Sequence, residues 1–218
     1  MDDKTLGGIA LATMVAFLAV AFGLRAVLHH RRTGTTGFHG VSGRPGSAEW
    51  WGGISFVLAL VLGLVAPAAQ LSGAVAPLAW SRSPVVTIAG GALALAGIVL
   101  TLAAQHAMGS SWRIGVAAGE ATELVTSGPF ALVRNPVFTA MITAAAGLVL
   151  LAPNFVALVG LVMLVLAVHL QVRLVEEAHL RATQGQGYLA YAERVGRFLP
   201  GIGRLRTNPT NNTAARKV

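Results

Sequence analysis

Apolar residues run through this chain in blocks of membrane length, each closed by glycine, proline or charge. A helix needs about 20 apolar residues to cross a hydrocarbon core of roughly 30 Å. Leu6 to Leu28, Trp51 to about Leu71 and Val85 to about Gln105 each supply that length. Arg25, near the end of the first block, can snorkel to the headgroups, and Trp50 and Trp51 suit the interfacial belt. A fourth block, from Asn135 to Val168, contains no charged residue. As one helix of 34 residues it would be about 51 Å long, too long for one crossing, and Ala152-Pro153-Asn154 interrupts it near the middle. The pattern therefore predicts two helices of about 16 to 18 residues joined by a tight turn. Being short, the second is expected to continue past Leu170 into the aqueous phase. The fold class that follows is an all-α integral membrane protein of about five transmembrane helices.

Composition agrees with that class and narrows the function. Of the 218 residues 55% are hydrophobic and 11% charged, and the mean hydropathy is +0.68. Soluble domains carry about 25% charged residues. The absence of cysteine excludes a disulfide framework, a thiolate nucleophile and a cysteine metal site. The net charge of +8 does not point to nucleic acid, because the basic residues flank apolar spans instead of forming a stripe with aromatics. Arg31, Arg32, Arg44, Arg113, Arg134 and the basic segment after Leu170 fall on one face of a five-span arrangement, whereas Lys4 and Arg82 fall on the other. The positive-inside rule then puts the N-terminus outside and the C-terminus in the cytoplasm of a cell-membrane protein. Met1-Asp2-Asp3-Lys4 lacks the basic region of a signal peptide, so the first apolar block is expected to stay in the mature protein.

The polar groups concentrate in three segments on the basic side. These are the loop from His106 to Pro129, the entry Arg134-Asn135-Pro136, and the exit carrying Arg173, Glu176 and Glu177. Each has a plain structural reading. Asn135-Pro136 has the form of a helix N-cap followed by proline at the first helical position. Thr126-Ser127-Gly128-Pro129 is a turn. Arg173 has the helical spacing of a surface ion pair with Glu176 and Glu177, and Tyr188 and Tyr191 suit an interfacial helix on the headgroups. Their convergence adds chemistry. In a hairpin of spans four and five, Arg134 and a positive helix N-terminus come close to Glu176 and Glu177. Cationic and anionic groups side by side suit a zwitterionic ligand: S-adenosylmethionine fits, and a phospholipid headgroup fits nearly as well. No metal-ligand set is present, so no metal is expected.

The residues Leu124-Val125-Thr126-Ser127-Gly128-Pro129-Phe130, Arg134-Asn135-Pro136-Val137-Phe138, Glu176-Glu177, Gly185, Tyr188, Tyr191, Val195, Arg197 and Pro200 form a further pattern. It resembles the isoprenylcysteine carboxyl methyltransferase family and, more broadly, the phospholipid-methyltransferase-like membrane enzymes. The resemblance covers about residues 106–200. Asn135 stands where that family has His, Phe138 where it has Tyr, and Gln184 where it has Phe. Asn keeps hydrogen-bonding capacity but cannot titrate near neutral pH.

The resemblance implies a membrane methyltransferase that uses S-adenosylmethionine on a lipophilic or lipidated acceptor among membrane lipids. The implied cofactor pocket comprises Thr122, Glu123, Leu124, Val125, Phe130, Arg134, Asn135, Pro136, Val137, Phe138, Glu176, Tyr188 and Arg197. Glu176 would hold the ammonium or ribose, and Arg134 or Arg197 the carboxylate. Arg173 is the candidate for the acceptor and Glu177 the candidate base. The organisation expected is a transmembrane segment over 1–105 from the apolar blocks, a catalytic core over 106–200 with a cytoplasmic C-terminal region from the resemblance, and a disordered tail over 201–218 from its polar composition. The rival readings are a nicotinamide-dependent membrane lipid or sterol reductase and a non-catalytic scaffold of the same fold.

Overall fold

A computed structural model describes residues 1–37, 40–41, 43–78, 83–109 and 124–205. Within them the chain forms helices and no strand. Helix α1 (Asp3–Thr33) opens on Asp2, whose carboxylate accepts from Thr5 N at 2.7 Å. Helix α2 (Ala48–Ser72) opens on Ser47 and stops at Gly73, where the backbone turns left-handed with φ of 83°. Both ends follow ordinary capping chemistry. Helix α3 (Pro84–Met108) and helix α4 (Pro136–Leu151) each begin with proline at the first turn, where its missing N–H has no cost. Helix α5 (Phe155–Leu170) runs through a π-type turn, Gln171–Glu176, into helix α6 (Glu177–Arg194), which kinks at Gly185.

Helices α1, α2, α3 and the segment Phe155–Arg194 are long and apolar enough to cross a bilayer. The 16-residue α4 is shorter, roughly 24 Å. The chain is thus an all-helical multi-pass membrane protein, and the paired short helices expected on either side of Ala152-Pro153-Asn154 are present.

Lipid tails give helices no hydrophobic reason to associate, so close backbone contact must supply it. The α3–α4 pair is built on small residues. A Cβ on Gly97 would collide with the Ala144 backbone, and one on Gly147 with the Ala94 backbone. Gly7 does the same between α1 and α2, where an added Cβ would lie 2.8 Å from Leu71 N, and a Cβ added to Gly160 of α5 would lie 3.2 Å from Leu62 Cβ on α2. The small residues within the spans therefore serve packing.

The α4–α5 turn is pinned by Asn154, which is fully buried. Its Oδ1 accepts from Ala157 N, while Nδ2 donates to Ala66 O, Gln70 Oε1 and Ala152 O. Gln70 Nε2 donates in turn to Asp3 O at 3.1 Å. This polar cluster ties the start of α1, the end of α2 and the hairpin together.

Two expectations change at the other end of the bundle. Tyr188 and Tyr191 do not lie on headgroups; they are 1% and 4% exposed and pack with Leu124, Leu180 and Leu205. The chain also stays folded past Gly201. Leu205 N donates to Ala192 O at 3.0 Å, and residues 197–202 close a turn through Arg197 N to Ile202 O at 2.8 Å. The rest of the expected tail, 206–218, lies outside the described residues.

Candidate functional site

The C-terminal segment is clasped to the entrance of α4 by backbone and ionic contacts together. Arg134 N donates to Gly196 O at 2.8 Å and Asn135 N to Arg197 O at 3.1 Å. The side chain of Asn135 does not cap α4; its Nδ2 donates to Arg197 O, and Thr139 Oγ1 donates to Phe198 O at 2.9 Å. Tyr191 OH donates to Phe130 O at 2.6 Å. Gly196 is required here by space, because a Cβ would run into Leu199 O and the Ile202 backbone.

Glu177 is the centre of the clasp and is 3% exposed. Arg134 Nη2 donates to Oε1 at 2.8 Å, and Arg197 grips both oxygens, Nε to Oε1 at 2.7 Å and Nη2 to Oε2 at 2.9 Å. Arg181 adds a longer contact of 3.7 Å. With Glu177, Arg181, Glu193 and Arg194, α6 is too charged for the hydrocarbon. Burial alone would raise the Glu177 pKa, but the hydrogen bonds from Arg197 and Arg134 outweigh it and hold the carboxyl below its ordinary range. Arg197 is pushed up, chiefly by its hydrogen bond to Glu177. The ion pair between Arg173 and the Glu pair does not form. The π-type turn from Gln171 to Glu176 breaks the α-helical register on which that spacing depended, and Arg173 faces outward.

Beside the clasp lies a cavity of about 540 Å³, within the usual range for small-molecule sites. Of the residues predicted from sequence, Phe130, Arg134, Asn135, Pro136, Val137, Phe138 and Glu176 line it. Leu124, Val125, Tyr188 and Arg197 do not, nor do Arg173 and Glu177. Thr122 and Glu123 lie outside the described residues. Sequence reading missed the other walls. Leu18, Phe22, Gly23 and Ala26 come from α1, Phe56, Val57 and Leu60 from α2, Gln105 and Met108 from α3, and Gln171 from the π-type turn. The cavity therefore has a polar end, at the α4 N-terminus, and an apolar end between the membrane helices.

Two irregularities in the helices shape it. Ala19–Leu24 of α1 is a second π-type stretch, and it faces the same cavity as Gln171–Glu176. Such bulges recur at functional sites. Gln105 Nε2 donates to Ala21 O within the α1 bulge at 3.0 Å, and Arg25 Nη2 donates to Gln105 O and Gly109 O, both at 2.9 Å. No sequence signal at this level marks a π-type turn, because it alters helix register without altering composition.

Polar capacity remains on these walls. The two terminal nitrogens of Arg134 are engaged by Ala192 O, Val195 O, Glu177 and Gly203 O. Among the described residues its Nε, which is buried, has no hydrogen-bond partner, and neither has the buried Oε1 of Gln105. A buried polar atom left unmatched costs about 1–3 kcal/mol. Both residues line the cavity.

Fold and site together define a multi-pass membrane protein with an amphiphilic cavity at one end of its helix bundle. Residues 85–186 match the phospholipid methyltransferase family model and carry that family's domain, one of integral-membrane methyltransferases. That match points to the class of membrane methyltransferases. The match takes in α3, α4, α5 and most of α6, and leaves α1, α2 and Arg197 outside it. No curated protein matches the chain.

Proposed function

We propose that this protein transfers a methyl group from S-adenosylmethionine to a lipophilic acceptor that enters from the bilayer, in the manner of an isoprenylcysteine carboxyl methyltransferase. One observation carries the reading. Of the residues that the family pattern assigns to the methyl donor, Phe130, Arg134 to Phe138 and Glu176 converge on one cavity whose remaining walls are membrane helices. The volume suits a nucleoside-sized ligand. The donor set also fits: a carboxylate at Glu176 for an ammonium or ribose, and the Arg134 Nε–H with the α4 N-terminus for a carboxylate.

When bound, the sulfonium supplies a methyl group that already carries its own leaving group. The protein's contribution is then positioning and exclusion of water. Phe130 and Phe138 give flat apolar surface for a ring, and Asn135 is held by Arg197 O so that its place in the wall is fixed. Among the described residues Glu176 is the carboxylate on the cavity wall, and since it is committed to the methyl donor an amine acceptor would react as the neutral free base. A carboxylate acceptor would need no base. We assign Glu177 to holding the C-terminal segment in place, since both of its oxygens are engaged by arginine. The catalytic core is proposed to face the cytoplasm, with the N-terminus outside, on the strength of the basic residues that flank this end.

Isothermal titration of the detergent-purified protein with S-adenosylmethionine and with NADPH tests the reading. Binding of the first and not the second is expected. Glu176→Ala should weaken S-adenosylmethionine at least tenfold, as loss of a charged hydrogen bond does, with an unchanged thermal midpoint. NADPH binding in place of S-adenosylmethionine would transfer the site to the reductase class.

A further inference from the structure

Gln171 opens the π-type turn and Glu176 closes it, yet both line the same cavity. On an α-helix, residues five apart point about 140° away from one another. The i→i+5 bonding of a π-type turn brings them onto one face. The wider turn is therefore what admits both side chains to one wall. Gly52 of α2 seats that turn closely, since a Cβ there would lie 3.3 Å from Leu170 Cβ and 3.7 Å from Gln171 N.

The two positions differ in depth. Gln171 directly follows the apolar α5, whereas Glu176 adjoins the charged α6. Toward the membrane from Gln171 the cavity wall is Leu18, Phe56, Leu60 and Met141. Gln171 thus stands where the polar end of the cavity meets the apolar end. Its side-chain amide makes no hydrogen bond to any described residue, and a neutral amide can both donate and accept.

On the methyl-donor reading above, we propose that Gln171 binds the polar headgroup of the lipophilic acceptor and sets its nucleophile toward the transferred methyl. Glu176, nearer the charged face, serves the methyl donor. The chemical class of acceptor is a hydrocarbon chain ending in a small amine or carboxylate headgroup.

The test separates the two reactants. Wild type, Gln171→Leu and Gln171→Glu are assayed with S-adenosylhomocysteine for affinity, and with a lysophosphatidylethanolamine and a long-chain lipid carboxylate for binding and methyl transfer. Gln171→Leu should raise the KM or Kd of the headgroup probe roughly tenfold, with S-adenosylhomocysteine affinity within twofold of wild type. Gln171→Glu should rescue an amine headgroup and worsen a carboxylate, which identifies the source. Unchanged acceptor parameters in Gln171→Leu would overturn the assignment, as would a loss of S-adenosylhomocysteine affinity equal to that of Glu176→Ala. A wild type that binds S-adenosylhomocysteine but neither probe also overturns it. Failure of wild type to bind S-adenosylhomocysteine would instead sink the methyl-donor reading, and this inference with it.

Discussion

The bundle carries polar side chains at both ends and uses them differently. At the hairpin end Asn154 and Gln70 are buried amides engaged with Ala66, Ala152, Ala157 and Asp3. At the cavity end Gln105 is buried just as deeply, at 3% exposed, yet among the described residues only its nitrogen is matched and its oxygen has no partner. Arg134 likewise has every terminal N–H engaged and its Nε unmatched. The same residue types therefore build a closed knot at one end and an incomplete one at the other. A fold under no demand but stability would complete both. The incomplete end is the one we propose to bind a ligand.

The largest break of this contrast should come at Glu177. Removing its carboxylate in Glu177→Ala leaves Arg134 and Arg197 buried without their anion, which costs about 3–5 kcal/mol. The thermal midpoint in detergent should fall sharply, and limited proteolysis should release the C-terminal segment. Asn154→Ala should cost about 1–3 kcal/mol, because Gln70 and the start of α5 lose their partners. In that variant, affinity for S-adenosylhomocysteine should match wild type, since the change lies at the far end of the bundle. Equal losses of stability and affinity would erase the distinction between the ends.

Gln105→Met sharpens the same contrast from the other side. It gives up the bond to Ala21 O but also removes the unmatched oxygen, so the net stability change should stay within about 1 kcal/mol. Ligand affinity should nevertheless fall several-fold. The smallest effect is expected from pH. The Glu177 pKa is held below its ordinary value of 4.5, so its contribution to stability is complete above that value and declines as pH falls through the lower, folded-state pKa. An acid titration of the thermal midpoint should show this decline in wild type and a flatter profile in Glu177→Gln.

Much of the site was legible before the fold was known, and the reasons for the gaps are specific. The approach of Arg134 to Glu176 and Glu177 was expected because a hairpin of two short spans must bring its two ends together, whereas Phe130 and Asn135 to Phe138 came from the family resemblance, and all of these but Glu177 line the cavity. The pairing of Arg134 with the Glu-Glu segment was anticipated, although the partner is Glu177 and the cavity-lining member is Glu176. Which of two adjacent carboxylates points inward depends on helix phase, and a π-type turn resets that phase without leaving a mark on composition. Tyr188 and Tyr191 have the spacing of an interfacial helix, but the docking of residues 195–205 covers them. Gln105 and Gln171 carried no signal, since a lone glutamine near a span end is ordinary.

The sequence by itself determined the membrane class, the five apolar helices, the hairpin at Pro153 and the family of residues 85–186. Those properties are local: they follow from the length of apolar runs, from proline and glycine punctuation, and from a linear motif. Only the tertiary structure decided that α1 and α2 supply the apolar half of the cavity, that Glu177 is a clasp, and that Gln171 shares a wall with Glu176. These depend on which faces of distant helices meet, and a linear chain of apolar residues in a bilayer leaves that choice open until backbones pack.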